Sequence, residues 1–172
     1  MNFLRKLVQS FSSHTPASPV DVLFLDFDGV LHPVSGGFRE FSQVSLLSPL
    51  FEENPLLRIV VTSDWRASHP EPELQECLGD LRDYYLGSTP LLENLRQPNF
   101  HGDPLIPFSR QREILWFLSE NSQVRNWLVL DDIPSLYEDN FRARHVLLTD
   151  PRTGLTQRDI LSASQILQSP EA

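Results

Sequence analysis

One cysteine, Cys77, stands in 172 residues. That excludes an intrachain disulfide framework and any zinc or iron–sulfur centre built from several cysteines. It fits a reducing compartment, the cytoplasm being the simplest. No apolar run approaches the roughly 18–20 residues needed to span a bilayer. Positive charge is also short: 14 Lys and Arg face 23 Asp and Glu, for a net charge of −9. Neutralising a phosphate backbone takes clustered Lys and Arg, so this balance argues against an extended nucleic-acid footprint. A small phosphorylated molecule, a phosphoprotein or a single nucleic-acid end held in one local pocket stays open. Internal repeats and low-complexity tracts are missing, which removes solenoids and arrays. What remains is a chain of single-domain length with 40% hydrophobic residues, enough to fill a core.

The first 19 residues, MNFLRKLVQSFSSHTPASP, stand apart. Phe3, Leu4, Leu7, Val8 and Phe11 fall at helical spacing, with Arg5 and Lys6 on the other side. The two cations break the apolar stretch, so a secretory signal is not expected. The segment reads as a short helix packed on the domain or as a surface-seeking or partner-binding element. Its Ser- and Pro-rich end reads as a linker, which places the domain at 20–168.

Four apolar runs punctuate that domain. Val20 to Leu25 ends at Asp26, and Arg58 to Val61 ends at Thr62. Trp127 to Leu130 ends at Asp131 and Asp132, and His145 to Leu148 ends at Thr149 and Asp150. Runs of this kind, without polar alternation, predict strands buried on both faces of a parallel sheet. Asp83 to Gly87 is a weaker fifth candidate. Helices are expected between them: one capped by Ser48 with Pro49 at its first position, one over Pro72 to Leu78, and one over Ser109 to Ser119. A last one is opened by the Thr156/Asp159 pair. Strand and helix in alternation predict an α/β three-layer sandwich with a central parallel sheet of about five strands. In such sheets ligands bind outside the carboxyl ends of the strands, where these polar residues converge.

Asp26 and Asp28 lie two apart, so in extended chain both carboxylates face one side, and Gly29 lets the backbone turn just beyond them. Adjacent carboxylates repel, which favours a bound cation or a shared proton. Asp131 and Asp132 offer further oxygens, and an all-oxygen donor set suits Mg²⁺ rather than zinc. Aspartates in loops also serve as caps and turn formers. Here both acidic clusters terminate strongly apolar runs, with a Thr-ending run between them.

Three segments carry a resemblance. DVLFLDFDGVLHP, RIVVTSDWR and WLVLDDI resemble, in order, the first, second and fourth motifs of the haloacid-dehalogenase-like (HAD) superfamily. Together with an Arg-x-x-Glu-Ile-x-x-Trp helix start from Arg110 to Trp116 and a late Gly154-Leu155-Thr156, they resemble the HAD domain of multi-domain RNA-repair proteins. The resemblance implies a Rossmannoid fold and a Mg²⁺-dependent phosphatase that forms an aspartyl-phosphate. Asp26 would be the nucleophile and Asp28 the general acid and then base. The order of the two comes from the resemblance alone. Thr62 would donate to a phosphate oxygen, with Gly29 and Ser63 beside it. Mg²⁺ would be held by Asp26, Asp28 through its backbone carbonyl, and the Asp131/Asp132 pair. The family's third motif is a single Lys or Arg, for which Arg110 is the candidate and Arg112 the alternative.

His32, Trp65 and Arg66 are candidate substrate contacts, with tuning of Asp28 as a second functional reading for His32. Each also has a plain structural reading: a loop hydrogen bond for His32, packing for Trp65, bridging of nearby acids for Arg66. Cys77 reads as a small helix residue rather than a nucleophile. The intervals between motifs leave no room for a large cap domain, so an open, capless site is expected. Three functions remain open at this point: a general Mg²⁺-dependent phosphatase, a phosphatase that processes RNA or DNA ends, and a catalytically idle binding module. The complete set of Asp26, Asp28, Thr62 and the acidic pair counts against the last.

Overall fold

A computed structural model describes residues 18–92 and 108–168. Residues 1–17 of the N-terminal segment and the Pro-rich stretch 98–107 lie outside these residues. Five strands form one parallel sheet: β1 (Val20–Leu25), β2 (Leu57–Val61), β3 (Tyr85–Ser88), β4 (Val124–Asp131) and β5 (Val146–Leu148). Their order is β3-β2-β1-β4-β5, which puts the strand leading into Asp26 at the centre.

Side-chain alternation along β1 sorts the core into two layers. Leu23 and Leu25 face α1 (Ser48–Glu53), α2 (Glu71–Cys77) and α5 (Gln157–Gln168), in a cluster with Leu50, Phe51, Leu74, Ile160 and Ala163. Val22 and Phe24 face the other way, against Ile114 and Phe117 of α3 (Ser109–Glu120) and against Tyr137. All four side chains are fully buried, which explains why the run shows no polar alternation. Burying each contributes roughly 1.5–3 kcal/mol.

Register carries the fold to the site. Leu25 pairs with both Val61 and Leu130, so three strands end level. The ladder continues one step further: Asp26 N–H donates to the Leu130 carbonyl (3.0 Å) and Thr62 N–H to the Leu25 carbonyl (2.9 Å). On the flank Thr149 N–H donates to the Asp131 carbonyl (3.0 Å). Residues far apart in sequence thus meet on one rim.

Several expectations are corrected in detail. Ser48 is the first residue of α1 rather than its cap, because a 3₁₀ turn over Val44–Leu47 runs straight into the helix. His145 closes a helix, α4 (Asp139–His145), and is not part of β5. Asp83 and Tyr84 belong to a 3₁₀ turn, and β3 starts at Tyr85. α4 itself has no buried residue and no apolar stripe to reveal it. It rests on tertiary contacts: Gln111 accepts from the Glu138 N–H (2.8 Å) and donates to its carboxylate (3.1 Å). Trp127 also lies against Phe141 and stacks on His145. The Thr156/Asp159 box at the start of α5 forms reciprocally, with Thr156 N–H donating to Asp159 Oδ2 (2.8 Å) and Asp159 N–H to Thr156 Oγ1 (3.4 Å).

Between β1 and β2 the chain holds a loop, the 3₁₀ turn and α1; between β2 and β3 it holds short turns and α2. Neither connection contains a cap domain. No described helix is long and apolar enough to cross a membrane.

Candidate active site

Asp26 follows β1 and is almost fully buried at the rim. Its nearest cation is Arg110, two residues into α3 and equally buried. Arg110 Nη1 lies 3.1 Å from Asp26 Oδ1 and donates to Asp131 Oδ2 at 2.8 Å; its Nη2 donates to Asp64 Oδ1 at 3.1 Å. A cation in the first turn of a helix opposes the helix dipole. Burial opposes its charge as well, but Asp26 and Asp131 outweigh both and hold the guanidinium firmly protonated. Arg112 is exposed on the same helix, two positions and about 200° further round.

The acids respond in the opposite sense. Burial pushes the Asp26 carboxyl up to about 6, against the pull of Arg110 and with a further push from Asp131. Hydrogen bonds from the Phe27 N–H and the Ser63 hydroxyl favour its ionised form without reversing the shift. Asp131 is fully buried and accepts three donors: Oδ2 accepts from Arg110 and from the Tyr137 hydroxyl (2.6 Å), and Oδ1 accepts from the Ile133 N–H (2.8 Å). Burial also raises the Asp132 carboxyl, and Asp131 beside it adds to the rise.

Asp26, Asp131 and Asp132 each bring a carboxylate oxygen within 4.8 Å of the others. The donor set is oxygen only, at a partly open rim, and suits a hard cation such as Mg²⁺. Gly29 makes room for it. Its φ is +70°, and a Cβ there would fall 2.3 Å from Asp132 Oδ2. Any other residue would collide with the carboxylate that closes the cluster. Thr62, on the neighbouring strand end, is fully buried, and its hydroxyl finds no partner among the described residues. A buried orphan hydroxyl is costly, at roughly 1–3 kcal/mol, unless something else accepts from it. Ser63 accepts the Trp65 N–H at 3.4 Å.

Asp28 stands apart from this cluster. Its side chain is 53% exposed and turns toward two rings. Trp65 Nε1–H donates to Oδ2 at 2.8 Å, and His32 Nε2 lies 3.1 Å from Oδ1. Arg66 lies beneath the rim rather than on it. Its side chain is buried and ion-paired with Glu113, and Nη1 donates to the Ser63 carbonyl at 2.7 Å. Burial lowers its affinity for a proton and raises that of Glu113, each partner offsetting the other.

Three residues of the site had no role in the reading from sequence. Tyr137 has no periodic or motif signal, since it reaches Asp131 from the extended residue that follows a 3₁₀ turn (Pro134–Leu136) downstream of β4. Asp64 sits inside the Thr-Ser-Asp-Trp-Arg segment and shows only its proximity to Thr62. Glu113 does carry a signal: it lies three residues after Arg110, on the same helix face, where it pairs with Arg66 beneath the rim.

A family described as the HAD domain in Swiss Army Knife RNA repair proteins matches residues 22–160. No curated protein and no solved structure matches the chain. The match runs from β1 into α5 and takes in every residue of the rim described above, so this chain belongs to that HAD domain family.

Proposed function

We propose that the chain is a Mg²⁺-dependent phosphomonoesterase working through an aspartyl-phosphate on Asp26. The observation that carries this reading is the fully buried, unpartnered hydroxyl of Thr62, on the strand paired directly with the one that ends at Asp26. Among the described residues this hydroxyl has no partner, so it is free to donate, and a phosphate oxygen would supply the acceptor. Membership of a HAD family supports a phosphorylated substrate.

An Asp26 oxygen attacks phosphorus, and the bond to the leaving oxygen breaks with its electron pair on that oxygen. Asp28 gives that oxygen a proton, then takes one from the water that attacks the phosphoenzyme and frees Asp26. Arg110 holds Asp26 and Asp131 in place and offsets part of their charge. Thr62 donates to a phosphate oxygen, with the backbone around Gly29 and the Ser63 hydroxyl at the same rim. Asp26, the Asp28 backbone carbonyl and Asp132 would hold Mg²⁺, with Asp131 behind, because Asp131 already accepts three protein donors. The ion supplies positive charge that lets a carboxylate meet a phosphate dianion. The half-buried lone Cys77 accords with a reducing compartment such as the cytoplasm.

The family's RNA-repair description favours one substrate within this class, a phosphorylated nucleic-acid end. With a net charge of −9, contact would be confined to the terminal nucleotides. Phosphate release from 3′- and 5′-phosphorylated oligonucleotides, phosphopeptides and phosphorylated metabolites is measured with Mg²⁺ and with EDTA. Turnover that needs Mg²⁺ and is abolished in Asp26→Asn is expected. Full activity in chelator, or in that variant, overturns the reading.

A further inference from the structure

Asp28 is an exposed carboxylate in a loop, yet each of its oxygens has its own donor. The direction of the His32 bond follows from its other nitrogen. Nδ1 accepts the Phe41 N–H at 3.3 Å, so the proton of the neutral ring sits on Nε2 and points at Asp28. The indole of Trp65 can only donate. Asp28 is therefore gripped by two neutral donors, one from the loop after β1 and one from the turn after β2.

Both rings are themselves immobilised. His32 is buried and packs edge-on against Phe41 (5.2 Å) and Trp65 (6.5 Å). Trp65 packs edge-on against Phe27 (6.0 Å) and Phe41 (5.1 Å) and stacks on His69 (4.7 Å). The hydrogen-bonding edges of His32 and Trp65 are thus turned to Asp28 by a box of five rings. Each Asp28 oxygen accepts one side-chain donor and keeps a second lone pair for a proton in transit. A proton donor must be held within hydrogen-bond reach of the leaving oxygen, and an exposed carboxyl on a free loop would rotate away.

We propose that His32 and Trp65 are positioning residues for Asp28. They fix the carboxyl that serves the leaving group instead of contacting substrate. The assignment rests on the reading of Asp28 as general acid and base, and the test separates the two. Wild type, Asp28→Asn, Trp65→Phe, His32→Leu and His32→Gln are compared on 4-nitrophenyl phosphate, whose leaving group needs little protonation, and on an alkyl phosphate, whose leaving group needs it fully. Asp28→Asn should lose far more turnover on the alkyl ester. Trp65→Phe and His32→Leu should follow the same pattern in miniature: kcat down about 10-fold on the alkyl ester, less than 2-fold on the aryl ester, with KM unchanged. His32→Gln, which keeps an N–H near the Nε2 position, should recover most of the loss.

Equal losses on both esters, or losses confined to KM, overturn the positioning role while leaving Asp28 in place. A uniform loss in Asp28→Asn overturns the reading of Asp28 itself. Independently of turnover and of how the ring variants fold, the Trp65 indole N–H resonance, identified by its loss in Trp65→Phe or by sequential assignment, should move upfield in Asp28→Ala. An indole signal that stays in place overturns the proposal.

Discussion

Two carboxylates two residues apart live in opposite settings. Asp26 is buried among charges, with Arg110 at 3.1 Å and two more acids within 4.8 Å. Asp28 is half exposed and is held by neutral rings alone. The strand explains how this arises from one short motif: Asp26 still follows the β1 ladder, whereas Asp28 has passed into the loop that Gly29 turns. Chemically the settings suit different work. A nucleophile beside a phosphate needs positive charge close by, and Arg110 supplies one such charge from inside the core, against Asp26 and Asp131 together. A proton carrier needs a fixed direction and access to solvent, and uncharged donors give direction without adding charge to the site.

The contrast is broken most sharply at the two carboxylates themselves. Asp26→Asn removes the attacking oxygen, and turnover should fall by at least about 10⁴-fold with no trapped phosphoenzyme. Asp28→Asn should lose roughly 10²–10⁴-fold and still accumulate phosphoenzyme from aryl phosphates. Quench-flow labelling with a ³²P-substrate distinguishes them; phosphoenzyme in the Asp26 variant would reverse the roles.

Arg110 carries the next largest effect. Arg110→Met leaves Asp26 and Asp131 buried together without their cation, and urea unfolding at pH 7 should show a loss of about 3–5 kcal/mol. Since acid neutralises the stranded carboxylates, the loss should shrink as pH falls. A loss independent of pH would mean that Arg110 acts through packing.

Asp26 itself should give a smaller effect of the opposite sign. Its folded carboxyl keeps a proton up to about pH 6, whereas the unfolded one releases it near 3.8. Between those values the folded form binds more protons, so this group's contribution to stability is present at lower pH and lost as pH rises toward 6. The loss is of order 3 kcal/mol at most. Asp26→Asn, neutral at every pH, should therefore be more stable than the parent at pH 7 without metal, and the difference should vanish near pH 4. Thermal melts in EDTA across that range check it. The smallest effect belongs to the exposed partner: Asp28→Asn, which keeps one acceptor oxygen but turns an NH₂ toward one of the two ring donors, should cost about 1 kcal/mol in the same melts at pH 7.

Much of the fold was legible because the sheet is buried on both faces. Nearly continuous apolar runs such as Val20 to Leu25, interrupted only by Asp21, have no other economical home, and their polar ends mark one rim. Arg110 was legible as a candidate, and the choice over Arg112 is a matter of helix phase, with 110 turned inward and 112 outward. α4 was not legible, because its stability comes from Gln111 and Trp127 on other elements rather than from a face of its own. Tyr137 was hidden for a related reason: a hydroxyl that finds Asp131 from just beyond a 3₁₀ turn leaves no spacing to count.

Local sequence thus determined which chemical groups stand at the rim, since hydrophobic burial of the strands brings Asp26, Thr62 and Asp131 to one level whatever the helices do. Only the tertiary structure decided their electrical state and direction. Whether a carboxylate sits beside a guanidinium, another acid or an indole depends on which loops meet above the sheet. Interactions between charges and dipoles depend on distances of a few ångströms that no spacing along a chain specifies.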